Sequence, residues 1–130
     1  MFDKFFPDRY VASTYVIDFE GLYKEGVRGL IFDIDNTLVP HGAPADERAK
    51  ALFARLKAIG FRCCLISNNQ KPRVEMFNKD IQVDYVYNAH KPSIRNYLKA
   101  MEIMGTDRDS TVFIGDQLFT DVWGAKRAGI

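Results

Sequence analysis

The sequence predicts an α/β domain, a doubly wound parallel sheet with helices on both faces. Two observations carry that expectation. Short apolar runs of strand length alternate with longer stretches whose apolar residues recur at helical spacing. Each apolar run also ends in polar residues, as strands of an open parallel sheet do where ligands bind. Strands separated by helices need crossover connections, and right-handed crossovers set helices on both faces.

Taken in order, residues 29–33 read as the first strand. A helix follows over 45–59, with Ala49, Leu52, Phe53, Leu56 and Ile59 on one face and Gly60 closing it. Phe61–Ile66 is a second apolar strand. Val74, Phe77 and Ile81 mark a short helix, and another strand is expected around Asp84–Tyr87. Pro92 suits the first turn of the next helix, whose apolar stripe is Ile94, Tyr97, Leu98 and Met101. Thr111–Ile114 is a further strand, and a last helix is expected over about 120–128, with Trp123 in the core.

The 130 residues suit a single domain spanning 1–130, with 47% hydrophobic and 27% charged residues in the range of a globular protein. A net charge of +1 gives no support to nucleic-acid binding by bulk electrostatics, and no nucleic-acid partner is expected. No apolar run approaches the roughly 20 residues of a membrane span, and the start lacks a signal-peptide pattern, so a cytoplasmic location is expected. Cys63 and Cys64 are adjacent in an apolar strand, where neighbours point to opposite faces and rarely bridge; reduced thiols are expected. The first 28 residues are unusually aromatic, with Phe2, Phe5, Phe6, Tyr10, Tyr15, Phe19 and Tyr23. They read either as a segment packed over one edge of the sheet or, with Lys4 and Arg9, as a surface resting at a membrane interface.

Polar residues collect at the strand ends: Asp33-Ile34-Asp35-Asn36-Thr37, Ser67-Asn68-Asn69, His90-Lys91-Pro92, and Gly115-Asp116 with Thr120 and Asp121 beyond. Each cluster alone is ordinary loop chemistry, but turn chemistry is a poor account of four in order on one rim. Asp33 and Asp35 raise a particular question, because residues two apart on a strand share a face and two anions held close repel. A metal ion or a shared proton offsets such repulsion. Asp33, Asp35 and Asp116 make a hard oxygen set suited to Mg²⁺, whereas His41 and His90 lack zinc-ligand spacing and read as incidental. Ser67, Asn68, Asn69 and Lys91 at a helix start form an anion clamp. A divalent cation, a cationic clamp and a free carboxylate describe phosphoryl transfer through an aspartyl-phosphate. Read blandly, the same residues include turn caps, an N-terminal helix acid at Asp121 and a solvated lysine at Lys91.

This combination resembles the haloacid dehalogenase (HAD) superfamily, with Asp33-Ile-Asp35-Asn-Thr37, Ser67-Asn68-Asn69, Lys91-Pro92 and Gly115-Asp116 through Asp121 matching its four motifs in order. The resemblance implies that Asp33 is the nucleophile that takes the phosphoryl group. Asp35 would protonate the leaving alcohol and then deprotonate the hydrolytic water, a role that favours phosphatases over the superfamily's ATPases. Mg²⁺ would be held by Asp33, Asp116 and the backbone carbonyl of Asp35, with Asp121 supporting the metal shell. Ser67 and Lys91 would hold the phosphate, helped by the amide of Asn68.

The intervals between motifs hold too few residues for a cap domain, so an open site suited to a large or surface-borne substrate is expected. Phe6-Pro7-Asp8, the 18–26 helix, Lys91-Pro92-Ser93 and Gly115-Asp-Gln-Leu-Phe-Thr-Asp121 resemble more narrowly the YqeG-type, subclass IIIA branch, which includes phosphatidylglycerophosphate phosphatases. That branch implies a lipid phosphate, phosphatidylglycerophosphate, as partner at the inner membrane face. Its members continue past the position of Ile130 with a strand and a basic tail, so the sequence reads as shortened with an edge strand missing. Rival readings are a phosphatase for a soluble or nucleic-acid end phosphate, a mutase, and a HAD-fold binding module without turnover.

Overall fold

The computed structural model describes residues 14–34, 38–39, 42–67, 70–87, 94–115 and 119–121, for Ile94 and 119–121 in terms of the backbone. Trp123, His41, His90 and Pro92 lie outside the described residues, as do residues 1–13 of the aromatic segment.

Helix α1 (Phe19–Lys24) starts where the Asp18 carboxylate accepts a hydrogen bond from the Gly21 amide, a side-chain cap for one of the orphan donors of the first turn. Strand β1 (Gly29–Asp33) follows, almost wholly buried. Helix α2 (Glu47–Ile59) is capped by Asp46, which accepts from the Ala49 amide at 2.8 Å. It therefore starts two residues later than its apolar periodicity suggests, because the cap takes the position before the first turn. Gly60 ends it at φ +122°, and a Cβ there would lie 2.8 Å from the Tyr23 hydroxyl, so both backbone and space call for glycine. Strand β2 (Arg62–Ile66), helix α3 (Lys71–Asn78), strand β3 (Asp84–Val86), helix α4 (Ile94–Met104) and strand β4 (Thr111–Ile114) complete the alternation. Ile81 lies beyond α3, which stops at Asn78. The Asn78 side chain clamps Val83 through both its amide atoms, and Ile81 is buried within the turn so closed.

The strands lie in the order β3-β2-β1-β4-β5, with the first four parallel. Strand β5 (Phe119–Asp121) pairs antiparallel to β4, Ile114 opposite Phe119 and Val112 opposite Asp121. At residues 120–121 this corrects the expected helix, whose remaining residues 122–128 lie outside the described ones: beside the open edge of β4 the backbone completes its ladder instead, and pairing overrides the local helical pattern.

Two cores sandwich the sheet. Phe19 of α1, Leu52, Phe53 and Leu56 of α2, and Val74 and Phe77 of α3 pack against Leu30, Phe32, Cys63, Leu65, Val112 and Ile114. On the other face, Tyr97, Ala100, Met101 and Met104 of α4 cover Ile31, Cys64, Ile66 and Val86. The doubly wound architecture is thus explicit, and the vicinal cysteines do point to opposite faces. Both are free, and burial pushes each thiol up to about 12. The buried stripe of α4 differs from the expected one. Its members sit at i, i+3, i+4 and i+7 from Tyr97, which turns Leu98 outward to 43% exposure.

The described part of the aromatic segment rests on the first core. Phe19 is fully buried against Phe32 and Phe61, and Tyr23 meets Phe61 edge-on at 5.4 Å. Glu20 anchors it further through a forked ion pair with Arg55 of α2.

Candidate active site

Strand β1 leads through α2 towards β2 on one side, while β4 lies on its other side. The connections diverge between the carboxyl ends of β1 and β4, and such a switch point leaves a crevice for ligands. Asp33 ends β1 there. Register pairs Asp33 with Ile66 and Phe32 with Ile114, so Ser67 and Gly115 come next on the flanking strands. Three of the sequence-expected positions therefore meet at one rim.

Asp33 is half-buried on the same face as Ile31, the face covered by α4. A Cβ built on Gly115 would come 3.7 Å from an Asp33 carboxylate oxygen and 2.7 Å from the Phe113 ring. Glycine at 115 thus keeps the backbone of the β4 terminus close to the carboxylate. Phe113 stacks edge-on to Tyr97 at 5.3 Å, and Tyr97 is 6% exposed. Its phenol is raised above the ordinary range by burial first and by the charge of Asp33 second. Ser67 is 3% exposed, and its amide donates to the Val86 carbonyl, tying the β2 terminus to β3.

Gly115→Ala is expected to cost about 1–3 kcal/mol, because the new methyl drives the Phe113 ring into the buried Tyr97. Urea denaturation checks it, and a loss under 0.5 kcal/mol would contradict the tight packing.

Asp35, Asn68, Asn69, Lys91 and Asp116 lie outside the described residues. Asp121 is on β5 at the level of Val112, two residues inside the carboxyl edge reached by Ile114. Among the described residues no cluster of three or more His, Cys, Asp or Glu side chains comes together. Sequence reasoning missed Phe113 and Tyr97 as neighbours of the site. Phe113 was legible from strand periodicity, since it shares a face with Gly115 two residues on; Tyr97 arrives from a separate helix.

The chain belongs to the haloacid dehalogenase-like hydrolase family, whose model matches residues 43–129. It is a HAD-type phosphatase. Over 99% of its length it is 37% identical to "Probable phosphatase YqeG" of Bacillus subtilis (strain 168), covering 76% of that protein. It is 24% identical to phosphatidylglycerophosphate phosphatase 1, chloroplastic/mitochondrial, of Arabidopsis thaliana, over 95% of this chain and 38% of that one. A glyceraldehyde 3-phosphate phosphatase of Pyrococcus abyssi is 22% identical over 63% of this chain and 38% of its own. The fold is shared with a Vibrio cholerae protein assigned as a 3-deoxy-D-manno-octulosonate 8-phosphate phosphatase, at TM-score 0.59 and 18% identity, over 75% of this chain and 62% of that one. Among the described residues no helix is long and apolar enough to cross a membrane.

Proposed function

We propose that the protein is a Mg²⁺-dependent phosphomonoester hydrolase working through an aspartyl-phosphate on Asp33, with phosphatidylglycerophosphate as substrate and phosphatidylglycerol as product. The observation that carries the mechanism is the Asp33 carboxylate at the β1/β4 switch point, approached closely by the Cβ-free Gly115. An Asp33 oxygen attacks phosphorus and the ester P–O bond breaks. The leaving alkoxide takes a proton from the carboxyl group of Asp35. Asp35 then accepts a proton from water, which attacks phosphorus, breaks the bond to Asp33 and releases phosphate. Ser67, Asn68 and Lys91 hold the phosphoryl oxygens and offset their charge.

The donor set fits a hard divalent cation: Asp33, Asp35 and Asp116 offer oxygens, while the two thiols are buried in the separate cores. Bound there, Mg²⁺ would neutralise charge on the phosphate and the carboxylates. With its backbone inside the carboxyl edge, Asp121 would act as a support of that shell rather than a direct ligand.

The lipid substrate is favoured by the reach of the match: the phosphatidylglycerophosphate phosphatase aligns over 95% of the chain, and the triose-phosphate enzyme over 63%. On this reading the protein works peripherally at the inner face of the membrane, as a single domain over 1–130. The triose-phosphate match supports the second reading, a soluble phosphomonoester. Phosphate release from micellar phosphatidylglycerophosphate, beside soluble monoesters including glyceraldehyde 3-phosphate, separates the two. Strong release from the lipid with Mg²⁺, abolished by EDTA, is expected. Release from soluble esters alone would discard the lipid, and release undiminished by EDTA would discard the cation.

A further inference from the structure

Just after β1, two backbone hydrogen bonds converge on the Ile34 carbonyl. The Leu38 amide donates to the Ile34 carbonyl at 3.0 Å, and the Val39 amide reaches the same oxygen at 3.4 Å. Ile34, Leu38 and Val39 are all fully buried. Ile34 and Leu38 flank Asp35-Asn36-Thr37 in the sequence, so these two buried residues fix the ends of that segment. The Leu38 carbonyl accepts a hydrogen bond from the Tyr15 hydroxyl at 2.8 Å, across 23 residues of sequence. Tyr15 is in turn held on two sides. Its ring packs against the first core, and the Arg48 guanidinium of α2 lies over it at 4.2 Å. Its phenol is raised, chiefly by burial and then by Asp46, so the hydroxyl remains a donor across the neutral range. Val16, next to it, is 79% exposed, which makes Tyr15 the inward-reaching member of this pair.

We infer that Tyr15 is a positioning residue for phosphoryl transfer: the strap formed by residues 14–18 uses its hydroxyl to lock the Leu38 end of the turn that follows the nucleophile strand. The inference rests on the assignment of Asp33 and Asp35 above and adds a part of the chain remote from all four motifs. A general acid must meet the leaving oxygen within hydrogen-bond reach, and small misplacements of such groups are costly to turnover.

The test compares Tyr15→Phe, which keeps the ring and removes the hydroxyl, with Val16→Ala as a neighbouring control. Turnover of a soluble phosphomonoester with Mg²⁺ and hydrogen exchange of the Leu38 and Val39 amides are both followed. Tyr15→Phe is expected to lower kcat about tenfold with KM within about twofold, and to speed exchange at Leu38 and Val39 about tenfold, as loss of one buried hydrogen bond permits. Val16→Ala should leave both unchanged. Wild-type kcat in Tyr15→Phe, or unaltered exchange at Leu38 and Val39, would overturn the inference. Failure of the underlying assignment reads differently: Asp33→Asn would keep its turnover while the exchange effect of Tyr15→Phe persisted.

Discussion

Asp33→Asn is expected to lose phosphate release by about a thousandfold or more, with the fold intact. The substitution is nearly isosteric, so the pairing of β1 with β2 at Ile66 and with β4 through Phe32 and Ile114 survives. What disappears is the anionic oxygen that attacks phosphorus, and an amide is a poor nucleophile. Stability should change little, because the amide keeps the size and shape of the carboxylate and one of its acceptor oxygens. Phosphate release from a soluble monoester, together with urea denaturation, tests both halves. Turnover within tenfold of wild type would remove Asp33 as the nucleophile, whatever the substrate. Loss of turnover together with several kcal/mol of stability would instead point to a structural carboxylate.

The largest effect on stability is expected from Phe32→Ala, at about 3–5 kcal/mol. Phe32 is fully buried in the central strand, 5.1 Å from Phe53 of α2 and 6.4 Å from Phe19 of α1. Removing its ring empties the point where three elements meet, and rigid neighbours on a sheet cannot collapse to fill it. Against a total stability of about 5–15 kcal/mol, that loss brings the domain near its unfolding threshold. The expected readout is a lower urea midpoint at unchanged slope. Phe32→Leu should cost much less, under about 1.5 kcal/mol, since it keeps most of the volume. A loss below 1 kcal/mol for the alanine variant would mean that α1 and α2 do not converge on this ring. Because Phe32 precedes Asp33, turnover should fall with stability in this variant, whereas Asp33→Asn separates the two.

Much of the molecule was legible from local chemistry. The alternation of short apolar runs and helical stripes required a doubly wound sheet, and the order of strands follows from crossovers that reverse direction once. Adjacent cysteines on a strand had to diverge, and they enter separate cores. The polar strand ends pointed to one rim, and Asp33, Ser67 and Gly115 do reach it.

Other features depend on partners distant in sequence. The helix frame of α4 was misread at Leu98 because Tyr97, Ala100, Met101 and Met104 form an equally regular stripe, and only docking on Ile31, Cys64 and Ile66 selects between them. The backbone at Phe119–Asp121 became a strand because β4 offered an unpaired edge, a fact that no window around residue 120 contains.

What the sequence by itself determined was the alternation of elements, the close of the second helix at Gly60, and the kind of chemistry its acids and lysine can perform. These follow from periodicity, backbone preference and charge, which are properties of neighbours in the chain. Only the tertiary structure decided that Tyr97 packs on Phe113 beside the end of β4, and that Tyr15 reaches the Leu38 carbonyl. Such contacts join residues 16 and 23 positions apart, and their energies exist only once the fold has brought those residues together.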